Sequence, residues 1–428
     1  MQNSRRAIWI YGFTLFSLFF GAGNLILPPQ LGLNAGTSWW LVVIGFCLSA
    51  VLVPLLGIIA HAQLQGGLMN FGLPISKRFS FIFSFLIYAV ALTLPAPRTA
   101  AVTHEMAILP YWELPAWISG TIYFSAVFVV SVNRSKISGF LGKWLSPLLL
   151  LILFFLIFNL IFQLPYEAGP PKLQFPFAES ILEGYQTFDA IGAVVAGGVI
   201  LISMRLDFPD QSPKSRFKLV LGAGWIAGLA LTILYTGLIY GGTLMQGQGF
   251  ENLTRTDFLL RMGELALGPK GVYVLSLLFA LACFTTAVGI VTGTADFISG
   301  LFGDSELAYR IAAFLGALVG VLMGQFSVAD IIQIALPVLQ LVYPVTIVLI
   351  VLNAFPLGWI STLVFRLVVT VTLICSLPEF FQALGIDNQR IPGWEWVPFE
   401  QHGLGWIVPS FGSIILLQVG QKILSKRN

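Results

Sequence analysis

The first hydrophobic stretch of the chain breaks in its own middle. From Ile8 to Leu33 it reads IWIYGFTLFSLFF, then GAGN, then LILPPQLGL. The run is long enough to cross a bilayer, yet Gly21, Ala22, Gly23 and Asn24 interrupt it, and Pro28 and Pro29 add a second stop. Hydrocarbon offers no partners to freed backbone amides, so such a break must be satisfied by protein or by something bound. The usual resolution is a discontinuous helix whose exposed peptide groups hold a solute or an ion. The feature predicts a transporter.

Composition sets the surroundings of that break. Hydrophobic residues make up 57% of the chain and charged residues 10%, against about 25% charged in soluble domains. The class expected is an all-α polytopic membrane protein. Cutting at polar and turn-rich breaks gives about twelve spans of the ~20 residues a bilayer needs, at roughly 8–33, 38–60, 79–107, 116–132, 146–165, 186–204, 217–243, 271–302, 308–325, 331–353, 358–378 and 404–423. Positive charge gathers at Arg5 and Arg6, Lys77 and Arg78, Arg134, Lys136 and Lys143, Arg205, Lys214, Arg216 and Lys218, Arg310, and Lys422, Lys426 and Arg427. That bias predicts cytoplasmic N- and C-termini, which an even span count allows. The opposite side carries fewer cations, Arg98 and Arg390 among them, and acids such as Asp387 and Glu395. Arg5 and Arg6 read as the inside anchor of span one rather than a twin-arginine signal, since no small-residue cleavage site follows. Cys47, Cys283 and Cys375 all fall inside expected spans, with neither metal spacing nor a disulfide framework.

The organisation expected is two inverted halves, 1–165 and 166–353, followed by two further spans and a cytoplasmic tail in 354–428. Span six supplies the matching interruption in the second half: Ala193 to Gly198, with Ala196, Gly197 and Gly198 as small residues in an apolar run. Paired interruptions in corresponding halves point to a binding site, although Gly197 and Gly198 alone fit a packing patch equally well. Leu164 to Gly184, with Pro165, Pro170, Pro171 and Pro176, reads as an irregular external loop. Residues 246–271 carry an amphipathic pattern for a short helix over the outer face.

The chemistry expected follows from the break. Glycines let the chain leave helical dihedrals and bring backbone close to a ligand. A second half-helix starting near Asn24 would aim its free N–H groups and positive dipole end at a carboxylate. A first half ending near Phe20 would leave carbonyls at Ser17 to Phe20 for a hard cation or a substrate ammonium. On span eight, Ala282, Thr285 and Thr286 offer a carbonyl and two hydroxyls, which either complete an oxygen cage for a small cation or bond within their own helix. Arg98, in Pro95-Ala-Pro-Arg, and Glu105 two turns on are either functional charges at membrane depth or solvated groups near the outer surface. Asp189 either meets an ammonium, serves an outer gate, or complements a helix N-terminus. Asp296 with Arg5 or Arg6 is a candidate inner gate.

FFGAGNLILPPQLGLNAG at 19–36 resembles the opening signature of the bacterial branched-chain amino acid:cation symporter family. PAPRTA at 95–100, TFDAIGA at 187–193 and ACFTTAVG at 282–289 match further family segments in order. The resemblance covers essentially the whole chain. It implies the amino acid–polyamine–organocation group, the five-plus-five inverted repeat of the leucine-transporter fold, and a bacterial inner membrane. It implies Na⁺- or H⁺-driven uptake of leucine, isoleucine and valine, with no other cofactor. Carried over by position, Phe20, Gly21, Ala22, Gly23 and Asn24 would bind substrate, with the carboxylate on Gly21 to Gly23. Ala193, Ala196 and Gly197 of span six would take the ammonium and part of the side chain. Ser17 and Phe20 carbonyls with Ala282, Thr285 and Thr286 would form a sodium site.

The reading is therefore a secondary symporter with a lipid bilayer, a branched-chain amino acid and a coupling cation as its partners, and no nucleic acid. A methionine or other apolar amino acid transporter and a non-transporting sensor are its rivals. An intramembrane enzyme is disfavoured: His61, His104 and His402 are scattered and no H-E-x-x-H occurs.

Overall fold

The structure, a computed structural model, describes residues 2–132, 146–386 and 397–425. Arg134, Lys136, Lys143, Asp387, Arg390, Glu395, Lys426 and Arg427 lie outside these residues, as do the side chains of Arg5, Ala196, Arg205 and Lys422. Among the described residues there are helices and connections but no strand.

The leading span is two helices, α1 (Gln2–Phe19) and α2 (Ala22–Ala35), divided at Phe20 and Gly21. The second half thus starts at Ala22, not near Asn24. Pro28 and Pro29 do not stop it, for both lie inside α2. Each lacks an N–H, so the carbonyls four residues earlier, at Asn24 and Leu25, lose their usual donors. Beyond α2 a 3₁₀ turn at Gly36–Ser38 leads into α3 (Trp39–Cys47), a π turn at Leu48–Leu52, and α4 (Val53–Leu64). The third span is also divided. α5 (Lys77–Thr93) meets α6 (Pro95–Thr103) at Leu94, and the prolines of the first turn of α6 need no helical donor. α7 (Ala116–Val132) and α8 (Ser146–Gln163) follow.

The second broken element corrects two expectations. Part of the loop read as irregular is helical: α9 (Pro176–Tyr185), with Pro176 opening its first turn. Next, α10 (Asp189–Asp207) runs without interruption through Ala193 to Gly198. The break lies earlier, at Gln186 to Phe188, where Phe188 takes a left-handed conformation (φ 61°). The small residues of α10 serve close packing on α4 instead. A Cβ added to Gly57 would lie 2.9 Å from the Ala193 Cβ, and one added to Gly197 would run into the His61 ring. His61 holds that contact through Nε2, 2.9 Å from the Val194 carbonyl.

α11 (Pro213–Leu244) is followed by α12 (Arg255–Leu301), which is kinked at Gly268 (φ 71°) just before Pro269. Its first arm is the amphipathic helix expected there, and it buries Phe258, Leu259, Met262 and Ala266. α13 (Glu306–Met323), α14 (Val328–Ala354), α15 (Thr362–Ala383) and α16 (Ile407–Ser425) complete the fold. Among the described residues, 7 helical segments are long and apolar enough to cross a membrane, and four shorter apolar helices accompany them. The outer faces are apolar, with Phe162 73% and Leu416 75% exposed, as lipid contact demands. Trp112, Trp117 and Trp359 are exposed near helix ends, where interfacial aromatics sit.

α2 and α11 pack backbone to backbone. A Cβ on Gly242 would strike the Pro29 carbonyl, and one on Gly32 the Ile239 carbonyl. By contrast, a Cβ on Gly224 would rest 3.7 Å from Leu55 Cδ2, an ordinary contact. Gly242→Ala should therefore cost about 1–3 kcal/mol, the usual penalty of overpacking, while Gly224→Ala stays near native. Thermal denaturation of the detergent-purified protein checks this; equal melting temperatures for the two variants would contradict it.

Candidate functional site

At the leading break the helical ladder stops for a stated reason. The Phe20 N–H still donates to the Phe16 carbonyl at 2.8 Å, but the Gly21 N–H turns back to Phe19 at 2.9 Å. Gly21 is extended (φ −112°, ψ −161°), and no side chain caps α2. The first N–H groups of α2 and the last carbonyls of α1 are therefore without intrahelical partners. Span eight lies against this point. A Cβ on Gly21 would come within 2.8 Å of Thr286 Oγ1, so glycine leaves room for the Thr286 side chain against the backbone of the break. The Thr285 and Thr286 hydroxyls both donate to the Ala282 carbonyl, at 2.8 and 3.3 Å. Of the two readings of the threonines, the bonds within their own helix are what the structure shows, and Thr286 alone of the pair reaches Gly21. Ser17, 7% exposed, is on the last turn of α1. Oxygen donors of this kind suit a hard cation.

The second break faces the first. Asp189, 4% exposed, opens α10. Its carboxylate accepts from Asn24 Nδ2 at 2.5 Å, and the same amide nitrogen donates to the Tyr235 hydroxyl of α11. One asparagine thus ties both broken helices to α11. Within the second break, the Asp189 N–H donates to Thr187 Oγ1 at 3.2 Å and the Ala190 N–H to the Tyr343 hydroxyl at 3.1 Å. The start of α10 is largely satisfied by protein, whereas the start of α2 is not. Between the breaks lies a cavity of about 40 Å³, lined by Gly21 to Asn24, Arg98, Thr187 to Asp189 and Thr286, with Ala91, Ile191, Val195 and Ile290 as an apolar side. That is room for roughly three water molecules, so a leucine side chain needs the walls to move apart.

Several expected residues fall elsewhere. Ala193 and Gly197 face α4 rather than the cavity, and the Ala196 side chain is outside the described residues. Arg98 is neither solvated nor paired with Glu105: it is 2% exposed and lines the cavity. Glu105 instead accepts from Thr256 Oγ1 at 2.8 Å and from the Val328 N–H at 2.9 Å, which fastens the chain just beyond α6 to α12 and α14. Asp296 is half-buried; the Arg5 side chain lies outside the described residues. The contacts that close the two ends were missed in the sequence. At one end Arg255 pairs with Glu183, which also accepts from Gln186 at 3.1 Å. At the other end the Tyr11 hydroxyl donates to Asp207 at 2.6 Å and joins α1 to α10. One signal was available for the second break: Thr187 and Asp189 straddle a helix start in the manner of capping residues. Nothing in the sequence pairs Tyr11 with Asp207.

A helical membrane protein with two facing broken helices and a small, mostly apolar cavity between them has the form of a transporter. The structure is similar over 98% of this chain and 93% of the other to Mhp1, a nucleobase-cation-symport-1 family transporter in a closed conformation with bromovinylhydantoin bound, with a TM-score of 0.63 at 14% identity. The sequence pattern of the family described as branched-chain amino acid transport protein matches residues 4–424. The chain is 32% identical to the branched-chain amino acid transport system 2 carrier protein of Pseudomonas aeruginosa, covering 97% of this chain and 96% of that one. It is 30% identical to the branched-chain amino acid permease BrnQ of Salmonella typhimurium, over 97% and 95%. The chain belongs to the branched-chain amino acid transport protein family.

Asn24→Leu would leave a buried carboxylate and a buried phenol without their shared donor, at a cost of about 1–3 kcal/mol. Tyr235→Phe keeps the bond between Asn24 and Asp189 and should cost less. Thermal melts of both variants check the order, and a larger loss for Tyr235→Phe would contradict the bridge.

Proposed function

We propose that this transporter is a symporter that carries leucine, isoleucine and valine into the cell across a bacterial inner membrane, driven by Na⁺ or H⁺. The observation that carries this is that the uncapped start of α2 and the Asp189 carboxylate line one cavity. Partial positive charge on one wall and negative charge on the other suit the two ends of a zwitterion. The names of the family and of both relatives supply the side-chain class. The apolar wall agrees with it, and a methylene is worth only about 1–3 kcal/mol in such a pocket, so the three aliphatic side chains are all accepted.

The coupling ion in this reading is Na⁺, held by carbonyls of Ser17 and Phe20 with Ala282, Thr285 and Thr286. It orders the end of α1 and neutralises its carbonyls, so substrate binds tightly only beside it. Such coupling is reciprocal and typically worth about 1–3 kcal/mol. Alternating access follows by rocking the broken-helix bundle against the rest, breaking the Arg255–Glu183 pair on the outer side, while the Tyr11–Asp207 bond keeps α1 and α10 moving together. The two breaks fall one in each of the halves 1–165 and 166–353, with both termini in the cytoplasm in this reading.

Uptake of labelled leucine into proteoliposomes tests the proposal. The native protein should concentrate leucine when Na⁺ is outside. Thr286→Ala, whose hydroxyl lies against Gly21, should raise the Na⁺ concentration for half-maximal uptake about 10-fold, and the double variant Thr285→Ala/Thr286→Ala more. An unchanged Na⁺ response in the double variant rejects the ion site; no native uptake of any aliphatic amino acid rejects the transport reading.

A further inference from the structure

Arg98 is a charged residue of the cavity to which the proposed transport cycle gives no task. Its side chain is 2% exposed, and its Nε and Nη1 are buried with no hydrogen-bond partner among the described residues. Buried polar groups are almost always bonded, and an exception calls for a reason. A guanidinium carries five N–H donors in a fixed fork and does not give up its charge readily. In the interior of a membrane protein such a group faces the bundle interior or a cavity, pairs with an anion or backbone carbonyls, and marks a functional site by default.

The surroundings say which anion. Arg98 sits on the first turn of the short α6, and its guanidinium lies 5.0 Å from the centroid of the Phe188 ring in the second break. On the other side it lies along the first turn of α2, so close that a Cβ on Gly23 would strike Nη2. Gly23 is therefore needed for the guanidinium to reach the uncapped N–H groups of Ala22 to Asn24. Two anion-attracting features, a helix start and a planar fork, converge on one end of the cavity. Asp189 does not satisfy them: it makes no hydrogen bond to Arg98 Nε or Nη1, and one of its oxygens accepts from Asn24, which leaves acceptor capacity on the carboxylate.

We propose that Arg98 is the carboxylate-binding and specificity-determining side chain of this transporter, gripping the substrate's α-carboxylate in its guanidinium fork beside the N–H groups of α2. The inference rests on the transport reading and deepens it. The cavity then carries one cation and one anion, Arg98 and Asp189, matched to a free amino acid. It rejects compounds with the same side chain but no carboxylate.

Equilibrium binding of tritiated leucine to the purified protein, competed by leucinamide and by isoamylamine, tests this. On the native protein both competitors should bind at least 100-fold more weakly than leucine. In Arg98→Gln leucine should weaken by a similar factor, and its advantage over leucinamide should fall to under about 10-fold. Arg98→Lys, which keeps the charge without the fork, should fall between the two. If Arg98→Gln does not fold, judged by gel filtration and melting, Arg98→Lys and the native competitors decide the matter. Native affinity for leucinamide within about 5-fold of leucine, or undiminished leucine preference in either variant, overturns the proposal. Absence of leucine binding by the native protein instead overturns the transport reading on which it stands.

Discussion

The first N–H groups of α2 and the last carbonyls of α1 have no helical partner and no lipid partner to fall back on, and the rest of the structure is arranged around that shortage. A continuous helix would satisfy them at no cost. The chain gives up that ladder at one place and surrounds the gap with groups that can complete it. Gly21 admits Thr286 against the backbone, and Gly23 admits Arg98. Neither approach survives a Cβ, so glycine at these two positions follows from geometry rather than from flexibility.

The break is also held rigidly. Asn24 bonds Asp189 and Tyr235 at once, so α2, α10 and α11 move only if that junction moves with them. The α2–α11 contact is tight enough for Gly242 to meet the Pro29 backbone directly. The second break is differently finished: Thr187 and Tyr343 satisfy the first N–H groups of α10 from within the protein. One helix start is filled by the fold and the other is left for something that arrives. On the proposed reading, that asymmetry puts the anionic end of the substrate at α2 and its cationic end at Asp189.

Much of this was legible in the chain, and the exceptions are instructive. The leading interruption is readable because glycine pairs and an asparagine inside an apolar run have few uses in a membrane. Its second half starts two residues early because the extended Gly21 alone makes the turn, and the prolines read as stops lie inside α2. The span-six break was misplaced because Ala193 to Gly198 looks like a flexible stretch, while Ala193 and Gly197 are small in order to fit against Gly57 and His61. Composition cannot tell a packing notch from a hinge; only the neighbouring helix can. Arg98 stood out by charge, yet its burial and its separation from Glu105 depend on where α6, α12 and α14 meet. The pairings Arg255–Glu183 and Tyr11–Asp207 join residues far apart in sequence, and no local pattern encodes them.

The central claim is that the opened peptide groups between Phe19 and Asn24 dock the solute. Amide hydrogen exchange, followed by mass spectrometry in Na⁺ with and without saturating leucine, reads those groups themselves. The account predicts that leucine slows exchange at Gly21 to Asn24 by at least 10-fold, with little change in the mid-helix amides of α15 and α16. Exchange at Gly21 to Asn24 that is indifferent to bound leucine would contradict it.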